Sequence, residues 1–297
     1  MSNYKNFMME NGAYKIFDID PLALIRQLDA MPFPQMVLIV TGGVFATIIL
    51  IVFLTYLARG KNVAPIPDSA ALANDMNAAI FGLILAFLVV SMYDTNRRVE
   101  ESVSNEANAL VSILQTSRCL DNAAEIKAAV KNYAQSVIEK EWPLMQAGKL
   151  DEVWALSPSL MTPVVEAVLH ANPTGTVQES FYYDLPDMLR DLENAHRSRL
   201  TQADVHLPVQ FWRIILLMTI LALWFLAYMN PWTGMGSLIP IIIPGIVIAL
   251  SFSLLVSLHY PFLGPFSVSN RSFNLGELHM EEATPNSLSN AATSSVQ

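Results

Sequence analysis

Few residues in this chain are arranged for covalent or metal chemistry. Its five histidines lack metal-ligand spacing, and Cys119, the one cysteine, has no disulfide partner and reads as a plain thiol. No phosphate loop, nucleophile elbow, zinc spacing or calcium loop occurs. Glu100/Glu101, Glu281/Glu282 and the set Asp184, Asp187 and Asp191 carry enough carboxylate for a cation, but they read first as solvated helix faces. No catalytic residue, metal or cofactor is expected, and the chain does not read as an enzyme. The informative stretch is 74–98. Asn74, Asp75 and Asn77 open an otherwise apolar segment, and Tyr93, Asp94, Arg97 and Arg98 close it. Between them Ala79, Leu83 and Phe87 step by four and share one helix face. In a ring of identical helices that face makes an apolar constriction below a polar mouth, an arrangement that gates channels by dewetting. Lipid contact or helix packing would use the same spacing.

The elements that must position this face are membrane spans. Of 297 residues, 53% are hydrophobic and only 14% are charged. Charge-free runs occupy 36–57, 76–93, 214–229 and 238–258, and at ~1.5 Å per residue most can cross a ~30 Å hydrocarbon core. The third reaches full length from Trp212 if Arg213 snorkels to the headgroups. The expected architecture is all-α, with transmembrane helices at 36–57, 76–93, 212–229 and 238–258. No secretory signal peptide is expected, since acidic residues precede the first run.

Lys and Arg near span ends are held on the cytoplasmic side during insertion. With both termini inside, that side collects Arg26, Arg97, Arg98, Arg197, Arg199, Arg213 and Arg271, against Arg59 and Lys61 outside. The expected outer loops are then 58–75 and 230–237, and the insert 94–211 is cytosolic. The insert reads as helices. Val99, Val103, Ala107, Leu110 and Leu114 continue the second span with no Gly or Pro between them. A second stripe runs through Ile126, Val130, Tyr133, Val137 and Ile138 and stops near Pro143 and Gly148. A third, shorter helix lies around 163–170, with Pro163 in its first turn. A fourth passes through Phe181, Leu185, Met188, Leu189 and Leu192 toward Leu200. With 17 acidic and 10 basic residues in 94–206, this insert does not read as a nucleic-acid surface. The N-terminal segment 1–35 offers one short helix at 21–28. The C-terminal tail 259–297 leaves the last span through Pro-Phe-Leu-Gly-Pro-Phe and is expected to be disordered from about 274.

Several short segments resemble the bestrophin-like domain family, a mostly bacterial group of unknown function. They are Ile-Leu-Ala-Phe at 84–87, Tyr93-Asp94, Arg97-Arg98, Glu106-Ala107-Asn108-Ala109, the run from Asn194 to Leu200, Leu207-Pro208 with Trp212, and the run from Pro261 to Ser269. Their order and spacing cover about 65–273. That family is in turn similar to bestrophins, pentameric anion channels whose second span lines the pore with a neck of three apolar residues spaced by four. The resemblance puts the neck on Ala79, Leu83 and Phe87, so that Asn74, Asp75 and Asn77, which open the span, are expected at the outer mouth, and Tyr93, Asp94, Arg97 and Arg98, which close it, at the inner end. Thr95-Asn96-Arg97 stands where bestrophins carry Arg-Trp-Trp. The resemblance implies a homo-oligomeric, anion-conducting channel of the bacterial cytoplasmic membrane, with the lipid bilayer and inorganic ions as partners. The alternative is a non-conducting, membrane-anchored helical module that binds a cytosolic partner through the insert.

Overall fold

A computed structural model describes residues 21–59, 68–171, 173, 175–205, 207–229 and 239–278. Every regular element among them is helical. In order these are α1 (Pro21–Asp29), α2 (Phe33–Arg59), α3 (Asp68–Ser117), α4 (Ala123–Ser136), a π-helical turn (Val137–Glu141), α5 (Trp142–Gln146), α6 (Leu150–Leu169), α7 (Thr176–Ala203), α8 (Val209–Met229) and α9 (Ile239–Ser257). Two 3-10 turns, Asn270–Asn274 and Gly276–Leu278, follow. Four helices, α2, α3, α8 and α9, are long and apolar enough to cross a bilayer.

The chain divides into two compact units, 1–94 with 206–267 and 95–205 with 268–297. In the first, α2 packs chiefly on α9 and α8, with α1 against all three. Met36, Ile48, Ile51, Trp212, Ile215, Leu223, Ile241, Phe252 and Leu255 are buried there, together with Phe81, Leu85, Leu88 and Met92 of α3. Most other apolar side chains of these helices face outward, which water would not tolerate and hydrocarbon does. Gly245 of α9 lies against Ile48, where an added Cβ would collide with the Ile48 side chain.

In the second unit, Val99, Val103, Ala107, Leu110 and Leu114 of α3 are all buried. The stripe expected from spacing is thus core within one chain. The same holds for Ile126, Val130, Tyr133 and Val137, and for Leu185, Leu192 and Leu200.

Boundaries differ from expectation where proline and loop signals were read too strictly. The supposed outer loop 58–75 already turns helical at Asp68, while 60–67 and 230–237 lie outside the described residues. Pro163 does not start a helix. α6 begins at Leu150 and carries Pro158 and Pro163 inside it. Both prolines are exposed, so water can solvate the carbonyls they leave unpaired, while Val153, Leu160, Val164 and Val168 hold the other face in the core. The second stripe is interrupted by the π turn before Gly148, at φ 66°, ends the segment. The tail stays ordered past the expected point: Phe273 and Leu278 are buried, and only residues from 279 lie outside the description.

Candidate functional site

The α3 face singled out from sequence is turned away from the rest of its own unit. Phe81, Leu85, Leu88 and Met92 are buried, whereas Leu83 and Phe87 are 73% and 71% exposed. Ala79 is exposed beside them, and Met76, Ile80 and Val90 continue the face above and below. Of the residues expected at the outer mouth, Asp75 is exposed, and Asn74 and Asn77 are half-buried. At the other end Tyr93, Arg97 and Arg98 are exposed and Asp94 is half-buried. Arg97 is held by Glu101 one turn on, its Nε donating to Oε1 at 3.0 Å. From Ala79 to Phe87 the helix rises ~12 Å, so the three apolar residues form a short stripe with no covering group from the same unit.

The insert holds a second constellation, which sequence reading found only in part. Arg199 of α7 is fully buried, and its guanidinium grips Glu106 of α3 with Nε on Oε2 at 2.6 Å and Nη2 on Oε1 at 3.1 Å. Nη2 also donates to Glu141 Oε2 at 2.6 Å, and Nη1 to Met145 Sδ at 2.9 Å. Tyr133 donates its hydroxyl to Glu106 Oε1 at 2.7 Å and lies 2.9 Å from His196 Nδ1. His196 Nε2 is 2.5 Å from Ser157 Oγ and 3.9 Å from the otherwise unpaired Oε1 of Glu141. Phe273 of the tail covers Arg199 at 5.9 Å and meets the Trp142 ring at 6.3 Å.

Burial alone would push the Glu106 carboxyl up. Arg199 and the hydrogen bonds from His196 and Arg199 overcome it and hold the carboxyl at about 2. Burial likewise works against the Arg199 charge, but Glu106 and Glu141 outweigh it and raise its pKa. The Tyr133 hydroxyl is pushed up by burial and by Glu106. These charges are fixed, and they pin α3, α4, the π turn and α7 to one another.

Glu106 and His196 with Arg199 sit in two of the segments quoted above as family-like, but their pairing could not be read from one sequence. Tyr133 was assigned to an apolar stripe, and Glu141 gave no signal. It is buried because it lies four residues beyond Val137 and eleven beyond Val130, on the same helix face, where its charge hid the pattern in sequence.

The first unit holds a third polar feature, at the entry to α2. Asp29 is 0% exposed, and neither carboxylate oxygen has a hydrogen-bond partner. It packs against Gly264, whose φ of 82° and contact with Asp29 leave no room for a Cβ. Phe33 and Phe266 meet edge to face at 5.8 Å beside it. Burial raises the Asp29 carboxyl from 3.8 to about 7. Among the described residues no group of three or more His, Cys, Asp or Glu could hold a metal.

The Bestrophin-like domain model matches residues 40–273, from the first span to the first 3-10 turn. No curated protein and no solved structure matches.

Proposed function

The chain belongs to the bestrophin-like domain family, and on that premise we propose that it is one subunit of an oligomeric, anion-conducting channel in a cytoplasmic membrane. The α3 helices line the pore, Ala79, Leu83 and Phe87 form its neck, and Asn74, Asp75 and Asn77 form its outer mouth. The inner end lies at Tyr93, Asp94, Arg97 and Arg98. Both termini and the insert are cytosolic. One observation carries this reading: Leu83 and Phe87 are large apolar side chains left uncovered by their own subunit, while residues two positions away are buried. Facing one another around an axis, such side chains exclude water and oblige an ion to shed hydration in passing.

Nothing in this reading requires catalysis. Ser157, His196 and Glu106 lie in the order of a hydrolytic triad, and in this reading the further bonds that Arg199 and Tyr133 make to Glu106 give the cluster the role of a clamp that keeps the insert folded. A second reading, binding of a cytosolic partner, draws support from an open groove of about 600 Å³ lined by Asn105, Asn108, Asp191 and Asn194.

Purified protein in liposomes separates the two. The channel reading expects passive anion flux that rises with protein content, from a preparation of defined oligomeric size. A monodisperse oligomer that passes neither anions nor cations would sink it.

A further inference from the structure

A carboxyl sealed from water without a charge partner or a hydrogen-bond donor keeps its place only while it is neutral. Asp29 is such a group, and it sits where two segments distant in sequence meet. One is the last turn of α1, which packs on α2, α8 and α9. The other is the turn after α9, where Gly264 lies against both the carboxyl and the backbone carbonyl of Asp29. Ile25, one turn back on α1, is 5% exposed and belongs to the same core. Among the described side chains, the titratable ones on these elements are Arg26 on α1, Tyr56 on α2, Arg213 and Tyr228 on α8, and His259 and Tyr260 after α9. Of these, His259 lies edge-on between Trp212 at 5.5 Å and Tyr260 at 4.6 Å. Burial is the cause that raises the Asp29 carboxyl.

We propose that Asp29 is a proton-operated latch: protonated, it closes the Gly264 turn over α1, and ionised, it releases α1 from the core of the first unit. The sign follows from linkage. The closed state keeps its proton up to about pH 7, whereas a solvated Asp loses it near pH ~4. Opening therefore releases a proton between these values, and the open fraction climbs roughly tenfold per pH unit up to about 7, then levels off. The latch is independent of the channel reading, since it concerns the seating of α1 and is read without ion flux.

The test places a cysteine at Ile25 in the full chain, with Cys119→Ser to remove the exposed native thiol. Maleimide labelling is then followed in micelles from pH 5.5 to 8.5. The same cysteine with Asp29→Asn corrects for the chemistry of the thiol itself. The corrected rate is expected to rise roughly tenfold from pH 5.5 to 6.5 and to level off above about 7.5. Asp29→Ala, which also carries no charge, should track Asp29→Asn, and it serves as the reference if Asn does not fold. A corrected rate that stays flat across the range, or a variant without the carboxyl that keeps the full pH dependence, overturns the latch.

Discussion

Arg199 is the residue on which the insert depends most. Its charge is acceptable in the core only because Glu106 and Glu141 take up its donors at 2.6 Å each, so deleting it leaves two carboxylates buried and uncompensated. Arg199→Ala is expected to cost ~3–5 kcal/mol, seen as a lowered melting temperature of the helical signal. Glu106 adds an acid limb. Its carboxyl is held at about 2 against an ordinary 4.5, so the stability it supplies is complete above pH 4.5 and is lost as the pH falls toward 2. Glu106→Gln should melt lower than the parent at pH 7, and the gap should narrow when both are measured at pH 3. A gap that is unchanged at pH 3 would show that the charge of Glu106 is not what stabilises the cluster. Gly264 offers a separate residue-scale test. At φ 82° a Cβ is strained and would stand 2.8 Å from Asp29 Cγ, so Gly264→Ala should destabilise the first unit by more than ~1 kcal/mol.

At the scale of elements, the buried stripe of α3 makes the firmest statement. Val103 and Leu110 are 1% and 0% exposed within one chain, so Val103→Asp with Leu110→Asp should abolish folding of the insert rather than merely separate subunits. Asn105→Ala with Asn108→Ala, on the exposed side of the same turns, should change the stability by less than about 1 kcal/mol and leave the helical melting transition in place. Expression of soluble, monodisperse double aspartate mutant would remove this stripe from the core. The stripe could be read from sequence because apolar periodicity is a local signal, as could the four spans and the short helix before them. The extent of α6 could not, because Pro158 and Pro163 signal a helix end, and only tertiary burial of Val153, Leu160 and Val164 overrides them. Arg199 was equally opaque. In sequence it counts among the charges that orient the spans, and only the tertiary contact with Glu106 of α3 and Glu141 of the π turn shows it as a sealed ion pair. Asp29 gave no signal either, since its partner surface lies more than 200 residues away at Gly264.

For the molecule as a whole, two predictions join topology to conduction. A cysteine placed at Lys149, in a Cys119→Ser background, should resist an impermeant reagent added outside intact cells, because the proposed orientation puts the insert inside. The decisive variant is Leu83→Ala with Phe87→Ala. Within the chain both side chains are largely uncovered, so truncating them removes little intrachain packing, and a cost well below the ~2–5 kcal/mol of a buried deletion is expected. If the two residues line a neck, the ring widens, water enters, and the barrier to dehydrating the ion falls. Flux in liposomes should then rise while oligomer size and melting temperature hold. If they pack instead between subunits or against lipid, the outcome reverses: the oligomer weakens or melts earlier, and flux does not increase. Measured on one preparation, the two accounts differ in both readouts: flux rises with the melting temperature unchanged, or the melting temperature falls with no rise in flux. A stable, leaky double mutant supports the neck, and an unstable one without added flux takes Leu83 and Phe87 out of the pore.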